Sequence, residues 1–229
     1  MKNAINTPFF WLALSVLAYE VGLWINRRLA HPLANPLLIA TALLCVLLIG
    51  SHTSVATYNA GGMFISMCLT PATVALAVPI FRELRTLRKN LLPILLGALV
   101  GSVASMGSVV VLSRLVGLDR TMIVSLLPKS VTTPIGVAVS TSLGGIPAVT
   151  AIAIIITGLF GAIVLPAFLS KLGVAHPVTT GLAIGTASHA VGTSRAIELG
   201  KTEGAISGLA IGISGFLTAL IAPLLGVFF

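Results

Sequence analysis

Charge is what this chain most lacks. Only 8% of its 229 residues are Asp, Glu, Lys or Arg, where a soluble domain carries about a quarter. Acidic side chains are scarcest, 5 against 13 Lys plus Arg, and aromatic residues make up 6%. So few charges cannot cover an aqueous surface, and an ordinary soluble domain is excluded. The two cysteines, Cys45 and Cys68, have no zinc or redox spacing; they read as small packing residues inside apolar runs. There is no HExxH, no GxSxG and no phosphate-cradling loop, so metalloprotease, serine-hydrolase and ATP-pump chemistry have no motif to rest on. The chain is expected not to be an enzyme, and no cofactor or metal is expected.

What is abundant is apolar: 57% of the chain, a mean hydropathy of +1.12, with 23 Gly and 12 Pro. One core could not enclose so much apolar surface, so lipid acts as solvent for most of it. The expected class is an all-α polytopic membrane protein, a single domain over residues 1–229. At about 20 residues per span, the length allows about seven or eight crossings and no sizeable aqueous domain. Apolar runs fall at Phe9 to Ile25, Pro36 to Ile49, Met63 to Phe81, Leu91 to Leu115, Thr121 to Val139, Pro147 to Leu169, Val178 to Ile197 and Ala205 to Phe229. The first contains Glu20 and leads to Arg27 and Arg28 instead of a small-residue cleavage site, so it reads as a retained helix.

The net charge of +8 reports orientation in such a chain, and no nucleic-acid partner is expected. Arg82, Arg85, Arg88 and Lys89 crowd one connection and place it, with Arg27 and Arg28, on the cytoplasmic side. The polar loop Ser51 to Gly62 is then external.

Two segments are interrupted. In Ser125-Leu-Leu-Pro-Lys-Ser-Val-Thr-Thr-Pro-Ile-Gly136, two prolines remove amide donors and Pro134 biases Thr133 away from helix. In Gly181 to Arg195, Gly181, Gly185 and Gly192 with four hydroxyl residues weaken the helix differently. Non-helical backbone at membrane depth persists only where it is buried in protein or lines a watery cavity, so both stretches are candidates for the working interior. An offset of 56 superimposes Gly136 on Gly192, Gly144 on Gly200 and Phe160 on Phe216, with Ser130 and Thr132 opposite Thr186 and Ser188. Each copy would be a broken segment followed by a Gly-containing helix, the arrangement that marks transporter sites. An offset of 115 places Ala72, Thr73, Glu83 and Leu84 on Ala187, Ser188, Glu198 and Leu199.

Lys129 sits between apolar flanks, where an ammonium costs about 2.5 to 3.5 kcal/mol at mid-membrane. With the hydroxyls of Ser130, Thr132 and Thr133 it would bind an anion; the alternative is that it snorkels to an interface. His189 has Thr186 and Thr193 on its helical face. It either exchanges a proton in coupled transport or holds two helices together by hydrogen bonds. Arg195 and Glu198, three apart, either neutralise one another at the membrane edge or leave the cation for substrate. Small residues four apart, Gly97 with Gly101 and Gly208 with Gly212, point to close helix packing within a chain or between identical subunits.

Leu127-Pro-Lys-Ser-Val-Thr-Thr-Pro134, Gly144-Gly-Ile-Pro-Ala148, Gly185-Thr-Ala-Ser-His-Ala-Val-Gly-Thr193 and Asn35-Pro-Leu-Leu38 together resemble the LrgB/CidB family of bacterial membrane proteins, in order along nearly the whole chain. The resemblance implies a multi-pass protein of the cytoplasmic (inner) membrane, often beside a small holin-like partner of the LrgA/CidA type. It implies one of two activities. The leading expectation is secondary transport of small monocarboxylates such as pyruvate, coupled to protons, a plastid relative exporting glycolate and glycerate; the alternative is partner-dependent modulation of murein hydrolase activity and autolysis. Carried onto this sequence, the substrate positions are Lys129, Ser130, Thr132 and Thr133, then Thr186, Ser188, His189 and Thr193, with Arg195 beyond them. A small carboxylate anion, the lipid bilayer, a holin-like protein and further copies of the chain are the expected partners.

Overall fold

The computed structural model describes residues 7–29, 34–68, 71, 74–75 and 77–226, and among these no strand occurs. The chain divides into two compact units, residues 1–75 and 76–229.

The first unit packs α1 (Pro8–Leu29) against α2 (Pro36–Gly50) and α3 (Val55–Met67). The Asn35-Pro-Leu-Leu motif is a helix start. The Asn35 side chain accepts from the Leu37 amide at 2.9 Å, and Pro36 fills a first-turn position where its missing N–H costs nothing. Trp11 is fully buried, its ring edge-on to Tyr58 at 5.9 Å, and Ser15 donates to the Trp11 carbonyl. Gly61 permits this packing, because a side chain there would strike Trp11 Cβ at 2.9 Å.

The second unit holds α4 (Ala77–Arg82), α5 (Leu84–Lys89), α6 (Leu91–Leu115), α7 (Arg120–Leu126), α8 (Thr133–Ser142), α9 (Pro147–Lys171), α10 (Pro177–Leu199) and α11 (Lys201–Gly226). α10 runs along α11 and also packs on α9 and α6. Small buried clusters join these helices: Leu87, Ile94, Val178 and Ile206 at one place, Met106, Leu127, Val139 and Ala222 at another. Elsewhere the helices turn large side chains outward, including Phe160 and Phe216, as lipid-facing surfaces do. The basic connection is tied down by Glu83, whose carboxylate accepts from Thr86 at 3.0 Å and from Thr202 at the start of α11 at 3.3 Å.

The described residues are all-helical apart from turns and connections and include apolar helices of membrane-spanning length, while a count of seven or eight crossings is not confirmed. Among the described residues four helices, α1, α6, α9 and α11, are long and apolar enough to cross a membrane. The run Met63 to Phe81 is divided: α3 ends at Met67 and α4 begins at Ala77. The expected loop Ser51 to Gly62 is mostly helix, because Ser54 accepts from the Thr57 amide and starts α3. Cys45 and Cys68 are exposed instead of packed. Ala72 and Thr73, part of the match at offset 115, lie outside the described residues, and the two glutamates of that match have different partners, Glu83 with Thr86 and Thr202, Glu198 with Arg195.

Candidate functional site

The proline-interrupted segment breaks as its sequence dictates. α7 ends at Leu126, α8 begins at Thr133, and the residues between are not helical. Turn bonds from the Lys129 amide to the Leu126 carbonyl and from the Val131 amide to the Pro128 carbonyl satisfy part of the backbone. Leu127, Ser130 and Val131 are buried, so the irregular stretch is enclosed by protein, the condition under which a bilayer tolerates it.

The Lys129 side chain is half-buried and turns inward. Its ammonium donates to Ser105 Oγ of α6 at 3.3 Å and to Ser130 Oγ at 3.2 Å, and the two hydroxyls lie 2.9 Å apart. These contacts favour the inward reading of the lysine over escape to a headgroup layer. Around this trio four elements meet in one cleft: α6 through Ser102, Ser105 and Met106, the broken stretch through Leu127, Pro128, Ser130 and Val131, α10 through Thr186, and α11 through Ser214 and Thr218. The cleft volume is about 10 Å³, enough for about one water molecule. No carboxylate lines it.

The structure thus brings Lys129, Ser130 and Thr186 together and separates the rest. Thr132 caps α8 without a side-chain hydrogen bond, and Thr133 is exposed. Thr186 Oγ1 donates to the Leu182 carbonyl at 2.8 Å, and the residue lines the cleft. Arg195 pairs with Glu198 on an exposed face and is not among the cleft residues.

Ser188, His189 and Thr193 form a second buried cluster, facing α9 and α11. α10 kinks at His189, whose backbone takes the left-handed φ of 43° with ψ of −143°, conformations a non-glycine residue rarely adopts. Its Nε2 hydrogen-bonds the Ile154 carbonyl of α9 at 2.9 Å. A side chain at Gly158 would meet the imidazole at 2.5 Å, so that glycine makes room for the ring. Thr193 Oγ1 bonds the His189 carbonyl at 3.0 Å and Ser207 Oγ of α11 at 2.7 Å. In this arrangement His189 joins two helices, which is the structural one of its two sequence readings.

The glycine reading of this segment needs correction. Gly181 and Gly185 do not break the helix; they let α11 approach, for a side chain at Gly185 would lie 2.5 Å from the Ser207 carbonyl. The break falls four residues later. The Gly144-Gly-Ile-Pro motif is likewise a turn between helices: Gly144 has φ of 82°, and Ser125 Oγ accepts from the Ile146 amide at 2.7 Å.

Ser102, Ser105, Ser214 and Thr218 escaped the sequence reading because they sit in helices that read as plain apolar spans. Their signal is spacing: Ser102 with Ser105 and Ser214 with Thr218 each share one helical face. Ser102 and Ser214 are buried with no hydrogen-bond partner at their hydroxyls.

Comparison with known proteins agrees with the motifs. The model of the LrgB-like family matches residues 15–228. The chain is similar to the "Antiholin-like protein LrgB" of Bacillus mycoides (strain KBAB4), 37% identical over 223 residues covering 95% of each chain. The proteins of that name from Bacillus cereus (strain B4264) and Bacillus anthracis (strain CDC 684 / NRRL 3495) show the same identity and coverage. No solved structure matches. With the interrupted segments, the helix-start and turn motifs and this full-length likeness, the chain belongs to the LrgB-like family.

Proposed function

We propose that this protein is an antiholin-like modulator of murein hydrolase activity, working in the bacterial cytoplasmic membrane beside a small holin-like partner. The observation that carries this reading is the 37% identity, over 95% of both chains, to proteins named antiholin-like. Such a role works by assembly and needs no bond-breaking chemistry. The helices offer surfaces suited to it: a side chain added at Gly107 of α6 or Gly212 of α11 would meet nothing within 4 Å, so a neighbouring helix, from a partner or a second copy, can approach closely there. The test is autolysis in cells lacking both genes. The rate is expected to change only when this chain and the holin-like protein are restored together; an equal change with this chain alone would contradict partner dependence.

A second reading is favoured by one specific observation, the inward Lys129 held by Ser105 and Ser130 beside a cleft that no carboxylate lines. On this reading the protein carries small monocarboxylates of the pyruvate, glycolate or glycerate type, with Lys129 neutralising the carboxylate and His189 as the group able to couple a proton. The cleft as it stands is too small for a three-carbon acid, so passage requires the elements around the break to part. Lys129→Met in a reconstituted uptake assay is expected to abolish flux while the protein stays folded; flux at the unsubstituted level would remove the assignment. The two readings meet if carboxylate movement alters pH at the wall and thereby hydrolase activity.

A further inference from the structure

Among the described residues three buried hydroxyls have no partner: Ser102, Ser188 and Ser214. Ser188 is wedged against α9, within contact of the position a Gly161 side chain would take, and has no room for a ligand. Ser102 and Ser214 differ, because both line the cleft beside Lys129 and come from different helices, α6 and α11. A buried hydroxyl without a partner is unfavourable, and two lining one polar cavity mark a place where something else completes the bonds.

Counting hydrogens and charges gives the sign of that ligand. The Lys129 ammonium has three donors, and two are directed at Ser105 and Ser130. Those two hydroxyls share one hydrogen bond between them, which leaves one hydroxyl hydrogen free. Ser102 and Ser214 each have another. Thr186 spends its hydrogen on backbone carbonyls. Thr218 adds a further hydroxyl, and each of these oxygens also keeps lone pairs, so charge decides the sign: no carboxylate lines the cleft, and the full charge next to it is the Lys129 ammonium behind Ser105 and Ser130, which would repel a cation. Met106, Leu127, Pro128 and Val131 complete the walls with apolar surface, which strengthens a charge interaction inside. Size then narrows the class: about 10 Å³ admits a body close to a single water.

We infer that the cleft is an occlusion site for one compact monovalent anion of halide size, bound by the Ser102 and Ser214 hydroxyls with Lys129 as counter-charge. This rests on the second reading's choice of cleft, but names ligands and a size limit that the carrier reading does not require. The test is thermal unfolding of the purified full-length protein in detergent, in sodium chloride or bromide against sodium gluconate at equal ionic strength, beside pyruvate exchange in proteoliposomes. Chloride and bromide are expected to raise the Tm over gluconate, because a ligand of the native state stabilises it by mass action. The double variant Ser102→Ala with Ser214→Ala is expected to fold at least as well in gluconate, since it removes two unpaired hydroxyls, and to lose the halide shift. Lys129→Met should lose it as well. An absent shift in the unsubstituted protein, or a full shift in the double serine variant, would overturn the inference. Pyruvate exchange without a halide shift overturns it while leaving the carrier reading intact; a serine-dependent shift without pyruvate exchange upholds it and removes the carrier.

Discussion

The two interrupted segments, α7 with α8 and the kinked α10, solve the same problem with different chemistry. In the first, prolines at 128 and 134 flank a stretch long enough to leave the helix altogether, and the backbone turns a lysine and a serine into the interior. In the second, one residue leaves the helix and the chain resumes at once. The correspondence at offset 56 places the non-helical His189 opposite Thr133, the first residue of α8, so the second segment returns to helix one position later than the first. What differs is the cost. Proline makes a break by removing donors, whereas the kink holds a histidine at a φ suited to glycine and must be stabilised by the Ile154 bond and the hydroxyls of Thr193 and Ser207. The first break builds a cleft; the second builds a joint between three helices.

The sharpest way to separate them is to add a methyl group. Gly185→Ala is expected to cost about 3 kcal/mol, at the top of the overpacking range, because its new carbon meets the backbone of Ser207. Gly136→Ala, in the first segment, meets chiefly the mobile end of Ile154, and about 1 kcal/mol is expected. Thermal unfolding in detergent checks both; equal costs would mean the two segments are packed alike.

Strain gives the next contrast. His189→Ala and His189→Gly both lose the bond to Ile154, but only glycine relaxes at the positive φ, so the glycine variant should be the more stable by about 1–2 kcal/mol. Thr133 has no positive φ, and there glycine should instead be worse than alanine by about 0.5–1 kcal/mol. The same sign at both positions would remove the strain assigned to the kink. Thr193→Val, which deletes a hydroxyl bonded to both α10 and α11, should cost about 1 kcal/mol. Smallest of all, Arg195→Gln should change stability by less than about 0.5 kcal/mol, because its pair with Glu198 is exposed; a large loss of stability would give that arginine an unsuspected structural role.

How legible this was from sequence follows the same division. The proline break at 127–132 could be read directly, because proline acts through covalent geometry and needs no knowledge of neighbours. The glycine segment could not: whether a glycine bends a helix or admits another depends on what lies opposite, and opposite Gly185 lies the Ser207 carbonyl. Lys129 was visible as a charge in apolar surroundings, but Ser102 and Ser214 are ordinary serines until α6 and α11 are folded around the break. The run Met63 to Phe81 misled because hydropathy does not register a helix end. Asn35 and the Gly144-Gly145 turn were conspicuous as motifs, yet their roles are those of a helix cap and a tight turn.

The central claim is that the broken stretch and α6 meet face to face across the Lys129 cleft. Paired substitution Ser105→Cys with Ser130→Cys, in a chain whose Cys45 and Cys68 are replaced by serine, tests it in native membranes. With the two hydroxyl oxygens 2.9 Å apart, mild oxidation is expected to link the cysteines within one chain, and Ser108→Cys, exposed on α6, should not link to position 130. Free thiols at 105 and 130 under the same oxidation, both open to a membrane-impermeant reagent, would contradict the cleft and the anion chemistry built on it.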